Sequence, residues 1–490
     1  MDIIHVASEL APVAKTGGLG DVVHGLCKEL VRVGHTVRII LPKYDTIPRS
    51  LLQNLQVHMR DLWSYDGPNC YHNTVWSAKV DGLDVLLLEP HHPGYLFSRG
   101  AVYGCPDDTD RFLYFSRAVT EFLFKSNLKP DVLHLHDWQT AAIPALQKEI
   151  YEPLGYSPLK TLLTLHNPEH QGKCSPEQLS KIGLRGYECL DSGKFRDPLN
   201  PALTNLLKGG IVYADLLNTV SPSYKKELLE PKGSFGLEEI LLENQKKLSG
   251  ILNGIDEDFW NPETDPYLKV PFPAHTPFTK EKWKLTKKNK ALNKKELRSQ
   301  LGLSDSKKPL FACVSRLVEQ KSPLLIAHAF EYVLAKGAQC IILGSTYTKE
   351  MLSFFSSLQE KYNGKGEGVI LLDYNEELSH RIYAGSDILL VPSLFEPCGL
   401  TQMIGLRYGS VPLVRKTGGL LDTVSNRNGF LFENPVKEEL SSAIDFASDA
   451  FEADGDRWEE LMQYGMSLDF SWKKAGAEYV DLYKKRPPFS

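Results

Sequence analysis

Lys15-Thr16-Gly17-Gly18-Leu19-Gly20-Asp21 follows an apolar stretch, Ile3 to Ala7, and Lys416-Thr417-Gly418-Gly419-Leu420-Leu421-Asp422 follows another, Val411 to Val414. Each reads as strand, glycine turn, helix start. Glycines in such a turn let the backbone reverse tightly and bring N–H groups up to an anion. The helix N-terminus adds partial positive charge and the lysine a full one. A loop of this kind at each end of the chain predicts two nucleotide-fold domains facing one cleft.

Ligands of open parallel sheets bind beyond the carboxyl ends of the strands. That rule selects five further loops: His136-Asp137-Trp138-Gln139, His166-Asn167, Asn253-Gly254-Ile255-Asp256, Ser315-Arg316 through Lys321, and Glu396-Pro397-Cys398-Gly399-Leu400-Thr401. Arg316 and Lys321 could neutralise a leaving diphosphate, the arginine as a fork and the lysine as a point charge; the plainer alternative is a surface basic pair. Glu396 could orient a sugar hydroxyl or stabilise positive charge at an anomeric carbon, or it could be a helix-capping acid. Gly399 to Thr401 could open a helix whose N–H groups meet phosphate. Cys398 could be reactive at a helix N-terminus or a small residue packed against a ligand. His166 could be a satisfied core histidine, but the neighbouring Asn167 adds a sugar-binding amide.

Other patterns carry less. His134-Leu135-His136-Asp137 has metal-ligand spacing, but Trp138 follows and His134 alternates into the sheet, so no metal is assigned. The D-x-D runs at Asp108, Asp256 and Asp454 are short patterns, and only the second follows a strand. There is no G-x-x-x-x-G-K-[ST], and the first loop is not G-x-G-x-x-G, which argues against P-loop and dinucleotide chemistry.

The elements that must position these residues alternate between strand and helix. The first series of strands is Ile3 to Ala7, Val37 to Leu41, Val85 to Leu88, Asp131 to His136 and Leu162 to His166. The second is Leu310 to Val314, Cys340 to Leu343, Val369 to Leu372, Ile388 to Val391 and Val411 to Val414. Strands that are apolar without alternation indicate a parallel sheet covered on both faces. Lysine-rich Lys280 to Arg298 reads as a solvated helix or loop. Domains are expected over residues 1–250 and 251–470. Residues 471–490 are expected to carry an amphipathic helix returning to the first domain, with Ala475, Tyr479, Leu482 and Tyr483 on one side.

At 490 residues, 42% of them apolar, the chain is long enough for two cores. Its 56 basic and 61 acidic residues, net −5, are interspersed, which argues against nucleic-acid binding. The eight cysteines form no C-x-x-C pair and read as reduced thiols of a cytoplasmic protein. The first residues lack the charged n-region and apolar h-region of a signal peptide and no apolar run approaches membrane length, so neither a leader nor a membrane span is expected.

The motifs together closely resemble the bacterial glycogen synthases and plant starch synthases, retaining glucosyltransferases of the GT-B fold. The resemblance covers nearly the whole chain. It rests on the Lys15 and Lys416 glycine runs, His136 to Gln139, Leu207-Lys208-Gly209-Gly210-Ile211, Leu252 to Asp256, Ser315-Arg316-Leu317 with Gln320-Lys321, and Pro392 to Gln402. It implies an α/β chain of two Rossmann-like doubly wound domains. The implied reaction transfers glucose from a nucleotide diphosphate glucose, ADP-glucose by likeness to bacterial members, to the non-reducing 4-hydroxyl of an α-1,4-glucan such as glycogen or a maltooligosaccharide. Configuration is retained, and no cofactor or metal takes part. The implied catalytic residues are Glu396, Arg316, Lys321 and His166. Lys15, Thr16, Gly17, Gly18, Asn253, Cys398, Gly399, Leu400 and Thr401 would bind the donor, and Asp21, Asp137, Trp138 and Asn167 the glucose or the acceptor. Two positions depart from the pattern: His170 stands where an aromatic is usual, and Ser322 replaces a common glycine. The rival readings are a related enzyme with a small-sugar acceptor and a catalytically silent glucan-binding scaffold.

Overall fold

A computed structural model describes residues 1–274, 277–346, 348–373, 375–453 and 455–487. It divides into two units, one made of 1–254 with 472–490 and the other of 255–471. The first therefore runs a few residues past position 250. The reason is that Ile251 is buried in its core and donates its N–H to Thr219.

The first unit holds β1 (Asp2–Val6), β2 (Thr36–Pro42), β3 (Gln53–Asp66), β4 (Asn69–Val80), β5 (Leu83–Pro90), β6 (Val132–His136) and β7 (Thr161–Leu165). A short antiparallel pair, β8 (Lys173–Cys174) and β9 (Thr204–Asn205), precedes β10 (Leu216–Thr219) and β11 (Leu248–Gly250). The main sheet has the order β11-β10-β7-β6-β1-β2-β5-β4-β3. It is mixed rather than wholly parallel, because β3 and β4 pair antiparallel and β4 joins β5 the same way. That hairpin is missed by a search for continuous apolar runs, since β3 alternates between exposed and partly covered residues.

Successive residues of a strand face opposite sides of a sheet. Ile4, Ile40, Leu86 and Leu133 accordingly join one core, with Phe112, Phe115, Val119 and Phe122 of the helix Asp108–Lys125. Each such side chain contributes roughly 1.5–3 kcal/mol on burial. Ile3, Ile39, Val85 and Leu87 join the other core, with Leu19, Val23 and Leu26 of the helix Gly18–Arg32 and Trp472, Tyr479 and Tyr483 of the last helix, Trp472–Lys484. His5, His134, Thr164 and Asn218 alternate to this second face. Their partners there include the terminal helix: Tyr483 Oη lies 2.8 Å from His134 Nδ1, and Asn218 Nδ2 donates to Tyr479 Oη at 2.9 Å.

The second unit is a parallel sheet of β12 (Leu310–Val314), β13 (Gln339–Leu343), β14 (Gly368–Leu371), β15 (Ile388–Val391), β16 (Val411–Arg415) and β17 (Phe430–Phe432). Its order, β14-β13-β12-β15-β16-β17, is the doubly wound 3-2-1-4-5-6 arrangement. The lysine-rich segment forms the helix Lys280–Gln300, and one face of it is buried rather than solvated. Trp283, Thr286, Lys290, Asn293 and Leu297 line that face at helical spacing. Three of these five are polar, which conceals the stripe from a hydrophobic pattern. Lys290 Nζ donates to the carbonyls of Ala384 and Tyr408, each at 3.0 Å, and Asn293 bonds both N–H and C=O of Val270.

Gly25 and Gly476 allow the helix Gly18–Arg32 and the last helix to approach closely. A Cβ on Gly25 would lie 2.0 Å from Trp472 Nε1. Gly25→Leu is expected to cost about 1–3 kcal/mol of stability through overpacking. It should also open the 472–484 segment to protease. Thermal unfolding and limited proteolysis check this, and an unchanged midpoint with an uncut terminal helix would refute the packing argument.

Candidate active site

The order of the second sheet reverses between β12 and β15, the crevice where nucleotide folds bind ligands. Arg316 and Lys321 follow β12, and Ser393 and Glu396 follow β15. Lys321 Nζ forms an ion pair with Glu396 Oε2, and Ser393 Oγ donates to the same oxygen at 2.9 Å. Glu396 is only 5% exposed, whereas Arg316 is exposed. The guanidinium of Arg415 braces the loop by donating to the carbonyls of Ser393 and Leu394.

The Lys416 glycine run has a different use from the one its sequence suggests. A Cβ on Gly418 would meet Glu396 O at 2.0 Å, and one on Gly419 would meet Cys398 O at 2.3 Å. Gly418 has φ +45°, and Gly419 N donates to Glu396 O at 3.0 Å. These glycines let the chain lie against the backbone of 396–398 and so shape the Glu396 loop. Cys398 is buried there. Gly399 (φ +77°) and Leu400 lead into the helix Thr401–Arg407, whose Gln402 side chain donates back to Gly399 O at 2.8 Å.

In the first sheet the strand order reverses between β1 and β6. Beyond β1, the N–H groups of Thr16 and Gly17 both donate to Glu9 Oε2, at 2.7 and 2.9 Å, and Tyr103 Oη donates to Glu9 Oε1. The anion that these two amides meet is thus a carboxylate of the chain itself. The helix that follows begins at Gly18. Lys15 Nζ pairs with Asp21 at 2.8 Å. Asn253, near the end of the first unit's main segment, is buried, with Oδ1 lacking a partner among the described residues.

Beyond β6, Asp137 adopts φ +56°, ψ −171°, a strained region for a residue with a Cβ. It is pinned from three sides. Its N–H donates to Thr164 O, and its Oδ1 accepts from His166 N at 2.6 Å and Asn167 N at 3.3 Å. Burial pushes its pKa up to about 7 against the pull of those two donors, and the charge of Glu9 adds to the rise. Trp138 packs on Phe112, and Gly172 (φ +62°) lies so close that a Cβ would touch its ring. Asn167 Oδ1 accepts from Glu169 N, turning the loop, and His170 is exposed.

His166 Nε2 lies 2.9 Å from His136 Nδ1, and His136 Nε2 lies 3.0 Å from His5 Nδ1. His134 stacks on His136 at 4.3 Å, with Tyr483 Oη and Thr164 Oγ1 on its two nitrogens. Burial lowers His5 and His166 to about 3, and His134 and His136 well below the ordinary value, so all four rings are neutral. Ligand atoms of His5, His134 and His136 lie within 4.8 Å of one another. Both nitrogens of His134 and of His136 are committed to hydrogen bonds, however, which fits a polar network better than a cation site. Among the D-x-D runs, Asp108 pairs with Arg111, Asp110 with Lys181, and Asp256 caps its own turn; Asp454 lies outside the described residues.

Glu9, His5, Ser393 and Tyr103 are absent from the sequence-derived site. The available signal was a histidine inside the apolar run Ile3–Ala7, on the same strand periodicity as His134-x-His136.

Two doubly wound units, one with cations and a carboxylate at its switch point, define a GT-B glycosyltransferase. A family model for the starch synthase catalytic domain matches residues 2–243, and one for group 1 glycosyl transferases matches 293–454. The glycogen synthase of Protochlamydia amoebophila (strain UWE25) is 46% identical over 494 residues, covering 99% of both chains. Glycogen synthase 1 of Synechococcus sp. (strain JA-3-3Ab) is 44% identical over 99% of both. The catalytic domain of starch synthase IV from Arabidopsis thaliana, solved with ADP and acarbose, matches with a TM-score of 0.92 at 41% identity over 98% of both chains. The chain belongs to the glycogen and starch synthase family.

Ser322, in the glycine position of the family pattern, has φ +56°, ψ +62°. Ser322→Gly is expected to stabilise the protein by about 1 kcal/mol by relieving the left-handed conformation. Denaturant unfolding checks this, and a loss of stability would refute it. For Asp137, the folded pKa near 7 stands above the ordinary 3.8. The buried group therefore loses stability as pH rises from about 4 to about 7. Asp137→Asn keeps the acceptor oxygen and should gain on the parent by up to about 1.4 kcal/mol per pH unit in that window. Unfolding of both proteins at pH 5 and pH 8 measures it; an offset independent of pH would refute it.

Proposed function

We propose that this protein is an α-1,4-glucan synthase that transfers glucose from ADP-glucose, with retention, to the non-reducing 4-hydroxyl of glycogen or a maltooligosaccharide. The observation that carries the reading is the Lys321–Glu396–Ser393 cluster at the β12/β15 switch point, in a chain alike over its full length to glycogen synthases. Glu396 orients Lys321 through their ion pair. Lys321 and Arg316 take up the charge that develops on the departing diphosphate, the kind of preorganised electrostatic stabilisation that supplies much of an enzyme's rate. The acceptor hydroxyl attacks from the leaving group's own face, and the leaving phosphate takes its proton. Glu396 and His166 face the transferred glucose. Lys15 and Gly18 meet the donor, with Thr16, Gly17, Asn253 and Cys398 to Thr401 in support. Asp21, Asp137, Trp138 and Asn167 meet glucose or acceptor. The domains serve as an acceptor-side first unit and a donor-side second.

A cytoplasmic location is part of the reading and is supported by eight free cysteines. No helix of the described residues is long and apolar enough to cross a membrane.

The test is nucleotide diphosphate release from ADP-glucose and UDP-glucose, each with and without glycogen. Release from ADP-glucose that depends on glycogen and lengthens it is expected. Release without elongation, or elongation only of a small sugar, would overturn the acceptor assignment. Lys321→Ala should lower turnover by roughly 10²-fold or more while the protein stays folded. Near-normal turnover would remove Lys321 from the mechanism.

A further inference from the structure

The three hydrogen-bonded imidazoles His5, His136 and His166 form a chain with a proton count that allows few arrangements. All three rings are neutral, so they share three N–H protons. Each of the two N···N contacts holds one proton, and the third must sit at an end of the chain. Two registers result. In one, every ring carries its proton on Nδ1: His5 donates to His136, His136 donates to His166, and His166 presents Nδ1–H outward. In the other, every ring carries it on Nε2, the donations run backwards, and His5 Nε2–H ends the chain.

The two ends differ. His5 Nε2 is fully buried with no hydrogen-bond partner. His166 is partly exposed, and its Nδ1 has no partner among the described residues. Buried N–H groups without an acceptor are rarer in folded proteins than acceptors left unfilled. The bare lone pair therefore belongs at His5, and the N–H at His166. Which ring nitrogen of a histidine carries the proton is set by the hydrogen bond that the other one makes. Thr140 Oγ1 accepts from His136 N, and Asp137 Oδ1 from His166 N, so the backbone around both rings is anchored as well.

We propose that His5 and His136 hold His166 in the Nδ1–H tautomer, so that it meets an oxygen of the transferred sugar as a hydrogen-bond donor. His5 and His136 are positioning residues: they act through His166 and touch no substrate. The part concerning sugar rests on the reading of His166 as a substrate contact. The part concerning the tautomer stands on the chain's geometry.

The experiment is long-range 1H–15N NMR of the full chain labelled with 15N-histidine, with the His166 signals assigned by their loss in His166→Asn. The unaltered protein is expected to show His166 protonated on Nδ1. A signal for Nε2–H overturns the proposal. His136→Phe removes the donor to His166 Nε2 and should move His166 toward the Nε2–H form. It should lower kcat by roughly tenfold or more with nucleotide diphosphate binding little changed. His136→Gln can still donate an amide N–H at that place and should retain the tautomer and most of the turnover. A His136→Phe protein whose His166 stays protonated on Nδ1 overturns the positioning role. If the tautomer moves and kcat does not, the chain stands and the placement of His166 on the substrate falls.

Discussion

Three fully buried imidazoles, His5, His134 and His136, with the partly exposed His166 beside them, find their hydrogen-bond partners within the protein, and much of the first unit follows from that constraint. A buried polar atom left unpaired costs on the order of 1–3 kcal/mol, so the neighbours are fixed by what they can donate or accept. His134 is satisfied by Thr164 and by Tyr483 of the last helix, which ties a segment more than three hundred residues away to the middle of the sheet. Lys160 Nζ donates to Tyr483 O at 2.7 Å and Asn218 holds Tyr479, so the same helix is bound at several points. His136 has both nitrogens met by His5 and His166, and this chain carries that order to the loops where β6 and β7 end. Asp137, held in a left-handed backbone by the amides of His166 and Asn167, completes this edge.

The second unit solves a related problem with ions. Glu396 is almost wholly buried, and a buried carboxylate needs a cation and hydrogen bonds. Lys321 and Ser393 provide them, from opposite sides of the switch point between β12 and β15. The loop that carries Glu396 can take this position because Gly418 and Gly419 admit its backbone. The two glycine runs, nearly identical as strings, therefore do different things. One turns its first amides onto Glu9 and starts a helix; the other is a seat for the neighbouring loop.

The residues that the sequence marked out do collect at strand ends, because doubly wound sheets put functional loops there whatever the chain. Arg316, Lys321 and Glu396 were legible for that reason, as were His166, Asp137 and Trp138. Glu9 was not, since a lone acid a few residues beyond a strand has no pattern until its amide partners fold around it. His5 was hidden among apolar neighbours, and Ser393 looked like any loop serine. The buried face of Lys280–Gln300 escaped notice because asparagine and lysine occupy positions where a periodicity argument looks for leucine.

By itself the sequence determined the fold class, the alternation of strands and helices, the two-unit organisation and the family, because each of these is written in local runs: apolar strands, glycine turns and motif strings. Only the tertiary structure decided the strand orders and their switch points, the antiparallel β3–β4 hairpin, the partners of Glu9 and Glu396, and the histidine chain. These depend on register and on side chains far apart in the chain. His5 and His136 are 131 positions apart, and nothing local to either residue specifies that their nitrogens will meet.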